Sequence, residues 1–142
     1  MILPDVNLLI YAHNEAAAAH ARARAWWRGL MEGAEPVGLP WAVMLGFVRL
    51  STHPAVLLEP LVPGQALARV REWLARSQVR ILEPGSRHLE ILEGIFATTG
   101  VGGNLTTDSH LAAVAIEHRA EIHSNDADFR RFTGLGWRNP LA

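Results

Sequence analysis

At 142 residues and 15.6 kDa the chain suits one compact domain spanning residues 1–142, long enough to bury its own core and too short for a second. Hydrophobic residues make up 49% and charged residues 19%, which excludes a disordered chain. A net charge of −1 gives no overall attraction for a polyanion, so any grip on nucleic acid must come from local patches.

Cysteine is absent, which excludes disulfides, zinc-thiolate sites and a thiol nucleophile and leaves the cytoplasm as the expected compartment. The N-terminal MILPDVNLLIYA lacks the basic start of a signal peptide, and no apolar run approaches the roughly 18 residues of a membrane span, so no membrane role is expected. All 13 basic residues are arginine, which removes any mechanism that needs a catalytic lysine or the lysine of a phosphate-binding loop.

In chain order, Ile2 to Leu3 reads as a short buried strand ending at Pro4 and Asp5, followed by helical turns over Val6 to Ala12. Residues 15–32 are alanine-rich, carry Arg22, Arg24 and Arg28, and predict the clearest helix. Glu35 to Leu39 predicts a second strand, and Trp41 to Leu50 an apolar helix stopped by Thr52, His53 and Pro54. Pro63 and Gly64 open another helix, and VRILEP predicts a third strand. Residues 86–99 read as helix, glycines 100, 102 and 103 break the chain, and a further helix follows over 106–119. Glu121 to Ser124 predicts a fourth strand, Asp126 to Phe132 a short helical turn, and GLGWRNPLA an edge strand. Strands alternating with helices predict an α/β domain whose parallel sheet is covered on both faces.

Only four aspartates occur against ten glutamates, and all four fall at strand-to-helix junctions or helix starts: Asp5, Asp108, Asp126 and Asp128. Each has an ordinary explanation as a helix cap or a first-turn anion. Jointly they point elsewhere, because functional groups gather beyond the carboxyl ends of strands in an open parallel sheet. Converging carboxylates repel one another and call for a cation. Hard oxygen donors suit Mg2+, with Mn2+ as a substitute, bound through a few carboxylates plus water and substrate phosphate. Such a site without a phosphate-cradling loop points to phosphodiester hydrolysis.

Four segments, PDVNLLIYA, PWAVMLGFVRLSTHP, NLTTDSHLAAVAIEHRAEIHSNDADFRRF and GLGWRNPL, taken in this order, resemble the PIN-domain ribonucleases and, within them, the VapC-type toxins of bacterial toxin–antitoxin pairs. The resemblance implies a three-layer α/β/α fold with a mostly parallel sheet. It further implies a magnesium-dependent endoribonuclease that cuts structured RNA such as transfer RNA, and a cognate antitoxin. By matched position it makes Asp5, Asp108 and Asp126 the catalytic and metal-binding acids, Asp128 a further ligand, and Asn7 and Ser124 groups that orient the carboxylates or water. Many PIN domains carry a glutamate on the helix that here reads WAVMLGFVRL, and Gly46 stands in its place. The expectation is weaker metal affinity, partly compensated by Asp128. The alternative is a non-catalytic PIN-like module that binds RNA or protein.

Arg130 and Arg131 lie near the predicted site and are candidates for substrate phosphates, whereas Arg22, Arg24 and Arg28 read as a solvated helix face. The five tryptophans read as core, but an adjacent pair cannot easily face inward twice. One of Trp26 and Trp27 is therefore expected to meet the antitoxin or a second copy of the chain in a homodimer. The seven histidines read as surface or capping residues, with His110 a candidate proton shuttle beside Asp108. A haloacid-dehalogenase-like phosphatase would need a second acid where Asn7 stands, and a lysine.

Overall fold

A computed structural model describes residues 1–100 and 102–142, with Asn104 by its backbone alone. The elements are β1 (Ile2–Pro4), α1 (Val6–His13), α2 (His20–Glu32), β2 (Val37–Pro40), α3 (Trp41–Ser51), α4 (Pro63–Leu74), β3 (Val79–Leu82), α5 (His88–Thr99), α6 (Thr106–His118), β4 (Glu121–His123) and β5 (Gly136–Arg138). Two 3₁₀ turns, Gly103–Leu105 and Ala127–Arg131, complete the list. All five strands are parallel, in the order β3-β2-β1-β4-β5.

That order positions the site. The chain steps outward from β1 through β2 to β3, then returns across the sheet to place β4 on the other side of β1. Right-handed crossovers in opposite directions put helices on opposite faces. Accordingly α1 packs with α2 and α3, and α3 with α4, while α5 packs with α6. The result is the expected three-layer α/β/α architecture. The strand order reverses between β1 and β4, so a crevice opens beyond their carboxyl ends.

The core is continuous from β1 outward: Leu3, Leu8, Leu9, Val37, Leu39, Phe47 and Ile122 are fully buried. On α6 the run Ala112–Ala115 is wholly buried, small side chains letting that helix lie close to the sheet. Glu117 near its end accepts hydrogen bonds from the Gly85 and Arg87 amides at 2.7 and 3.0 Å, lashing the turn before α5 to α6. These amides hold its carboxyl below the usual range. A Cβ at Gly85 would lie 2.5 Å from Glu117 Oε2, so a larger residue there would push that carboxylate off its two amides.

The helix predicted over 15–32 begins only at His20. Asn14 breaks it: its side chain accepts from the Ala16 amide and its carbonyl from that of Ala17, forming a local turn that competes with helix. The His20 imidazole then reaches the Tyr11 carbonyl at 2.8 Å, folding α2 back onto α1. The tail does form an edge strand, β5, as expected. Among the described residues no helix is long and apolar enough to cross a membrane.

Candidate active site

Register brings the first two site segments together. Pro4 of β1 stands opposite His123 of β4, and the Asp5 amide donates to the His123 carbonyl at 2.9 Å. The next residue of each strand, Asp5 and Ser124, therefore enters the crevice side by side. Ser124, fully buried, donates from Oγ to Asp5 Oδ2 at 2.7 Å and accepts from the Asp126 amide at 2.9 Å. One hydroxyl thus fixes the first acid and the loop carrying the next. Asp126 Oδ1 in turn accepts from the Asp128 amide at 2.9 Å.

The capping roles are also real. Asp5 Oδ1 accepts from the Val6 amide at 2.7 Å at the start of α1, and Asp126 caps the 3₁₀ turn. Capping and site chemistry coincide because the positive end of a helix dipole stabilises an anion that the crevice needs.

Asp108 arrives from a different direction. A helix that must end where β4 begins has to start at the opposite edge of the sheet, and Asp108 occupies the first turn of α6. Burial, and then the nearby charges of Asp5, Asp126 and Asp128, push its carboxyl up to about 6. Asp5 is raised too, chiefly by burial, with the Ser124 and Val6 hydrogen bonds opposing and Asp126 adding repulsion. All four aspartates consequently share one electrostatic neighbourhood.

These acids suit a divalent cation: hard oxygen donors, mutually repelling, with Asp5 deeply buried at 7% exposure and, among the described residues, no ion pair to it. Asn7, on the first turn of α1, keeps its Oδ1 buried without a hydrogen-bond partner among the described residues. Among the described residues no three acids or histidines converge closely enough to enclose an ion alone. Gly46 of α3 lies against the start of α1, where a Cβ would meet Val6 Cγ2 at 3.3 Å.

The arginines separate. Arg131 pairs with the half-exposed Asp128 at 3.5 Å, so Asp128 is partly engaged outside the acid cluster. Arg138 pairs with Glu121 at 3.4 Å, and Arg22, exposed like Arg24 and Arg28 on the solvated face of α2, also donates to the Leu141 carbonyl at 2.6 Å, tying the tail to that helix. Arg130 lies over the Trp137 ring, 5.0 Å from its centroid.

The tryptophan pair divides: Trp27 is buried against Trp73, whereas Trp26 stays partly exposed while its indole donates to His123 Nδ1 at 3.0 Å. Slightly different directions from one helix face let the two rings reach different neighbours. Trp41, by contrast, is 47% exposed rather than core. The histidines are not merely surface residues. His123 is buried, and because Nδ1 accepts from Trp26, Nε2 carries the hydrogen and donates to Glu121 at 2.9 Å. Burial lowers its proton affinity and favours the neutral ring. His110 Nδ1 is tied to His88 Nε2 at 2.9 Å, committing that nitrogen to the α5–α6 contact instead of to Asp108. The alternation of Glu121 and His123 on one face of β4 was the sequence signal for the buried imidazole.

Comparison with known proteins places this arrangement. A sequence model of the PIN domain matches residues 2–135. Ribonuclease VapC33 of Mycobacterium tuberculosis is 46% identical over 141 residues, covering 99% of each chain. Ribonuclease VapC37 of the same species is 41% identical over 142 residues, covering 100% of this chain and 99% of its own. Among solved structures, M. tuberculosis VapC20, described as a sarcin-ricin-loop-cleaving toxin, superposes with a TM-score of 0.67 at 16% identity over 96% of this chain and 99% of its own. VapBC-1 of nontypeable Haemophilus influenzae gives 0.68 at 16% identity over the whole of both chains.

Proposed function

This chain belongs to the PIN-domain family and is a ribonuclease of the VapC kind, and from that premise we propose that it is a magnesium-dependent endoribonuclease, the toxin of a toxin–antitoxin pair. The observation that carries the metal is the shared field of the acids, in which Asp108 is pushed to about 6 by burial and by its three carboxylate neighbours. Asp5, Asp108 and Asp126 would hold Mg2+, or Mn2+ in its place, with Asp128 joining when released from Arg131. When bound, the ion would offset charge on the RNA phosphate and activate a water for in-line attack.

The protein's own residues do the rest. Ser124 holds Asp5 in one rotamer and sets the height of the Asp126 loop, while the α1 and α6 N-termini add positive potential at the crevice floor. Structured RNA such as transfer RNA is the proposed substrate. Cleavage of a transfer-RNA pool should require Mg2+, stop with EDTA and be lost in Asp5→Asn while the fold survives; full cleavage by Asp5→Asn would overturn the assignment.

A protein partner is supported by an exposed apolar cleft of about 430 Å³ where α3 and α4 meet, lined by Trp41, Leu67, Val70 and Leu74. Burial of such surface on association is favourable. The proposed occupants are a cognate antitoxin and, in its absence, a second copy of the chain.

A further inference from the structure

We infer that Arg130, laid on the indole of Trp137, grips a backbone phosphate of the RNA strand beside the acids. This rests on the ribonuclease reading above and adds the side chain that offsets the site's own repulsion.

A crevice lined by four carboxylates repels a polyanion, so cations must stand close by. The 3₁₀ turn Ala127–Arg131 supplies them: it begins at Asp126 and carries two arginines at its end. At about 2.0 Å rise per residue, Arg130 follows Asp126 by roughly 8 Å, which a strand running out of the crevice would pass. Arg131 is occupied by Asp128, and Arg138 by Glu121. Arg130 is exposed and, among the described residues, has no carboxylate within ion-pair distance.

Its placement is prepared in advance. Trp137 belongs to β5, where it sits opposite Ile122, and is half-buried against the core, giving a firm platform. With its Cζ 5.0 Å from the ring centroid, the guanidinium is held by the indole's π-face, and its N–H groups make no ion pair with a carboxylate among the described residues. An arginine already ordered in this way loses less entropy on binding than a free one. The contact reads phosphate and carries no base specificity.

The test uses the full chain carrying Asp5→Asn, with a fluorescein-labelled single-stranded oligoribonucleotide of mixed sequence, in magnesium, across a salt series. Adding Arg130→Ala should weaken binding about tenfold, the low end of the weight of one charged hydrogen bond. It should also reduce the salt slope by about 0.7, the value of one phosphate on a single strand. Arg130→Lys should recover part of the affinity and the full slope, while Trp137→Leu should weaken binding with little change in slope. In the otherwise wild-type enzyme, Arg130→Ala should raise KM more than it lowers kcat. Unchanged affinity and slope in a folded Arg130→Ala protein would overturn the clamp alone. Failure of the Asp5→Asn parent to bind RNA even at low salt would overturn the clamp, whereas loss of magnesium-dependent cleavage in the wild-type chain would overturn the metal-dependent reading by itself.

Discussion

Asp108→Asn should make the metal-free protein more stable while destroying its activity. The carboxyl ordinarily titrates near 3.8 and is raised to about 6 in the folded chain. Folding therefore favours its protonated form, so stability is fully present below the unfolded value and is lost as pH rises through about 6. The shift corresponds to about 3 kcal/mol at full weight, and solvent screening of a half-buried group reduces this to about 1–2 kcal/mol. For a chain of this length that is a gain of roughly 3–8 °C in Tm at neutral pH for the asparagine variant. The assay is thermal unfolding of both proteins in EDTA from about pH 4.5 to 7.5, taking the difference so that other carboxylates cancel. The difference should grow across the window and shrink when magnesium is added, because the cation replaces the relief that asparagine provides. A variant no more stable than wild type at neutral pH, or a difference independent of pH, would refute the electrostatic account of the cluster.

Ser124→Ala removes the hydroxyl shared by Asp5 and Asp126 and should lower magnesium affinity about 10- to 100-fold, measured by titration of cleavage rate. Gly46→Glu should raise cleavage at limiting magnesium; its crowding against Val6, about 1 kcal/mol, is offset by the better helix propensity, so Tm should scarcely move. Trp26→Phe deletes the indole hydrogen bond to His123 and should cost about 1 kcal/mol in unfolding experiments with cleavage retained. Trp41→Asp should weaken association with a partner, seen as an earlier loss of complex on dilution in light scattering, without changing the activity of the isolated chain.

The alternation of strands and helices, and the placing of the only aspartates at their junctions, were legible because both depend on local pattern. The crevice between β1 and β4 was not, since strand order depends on which neighbours the sheet selects. Asn14, just ahead of an alanine-rich run, delayed its helix to His20, because one side-chain acceptor outweighed the propensity of the residues after it. The histidines were misread for a related reason: the partners of His123 come from α2 and from two residues upstream on its own strand, and only packing joins them. The partner of Arg131, Asp128 three residues before it, was within local reach, whereas the tail carbonyl met by the exposed Arg22 lies 119 residues on.

The hydrogen bond from Ser124 to Asp5 spans 119 positions of sequence. A ribosome making this chain has the first acid in hand almost at once, yet the partner that orients it emerges only near the end, after Asp108. The acids cannot form one site until β4 inserts beside β1, so a growing chain carries no assembled nuclease while it is still attached to the translation machinery. For a ribonuclease, this order of synthesis keeps the acids apart until the last strands are made.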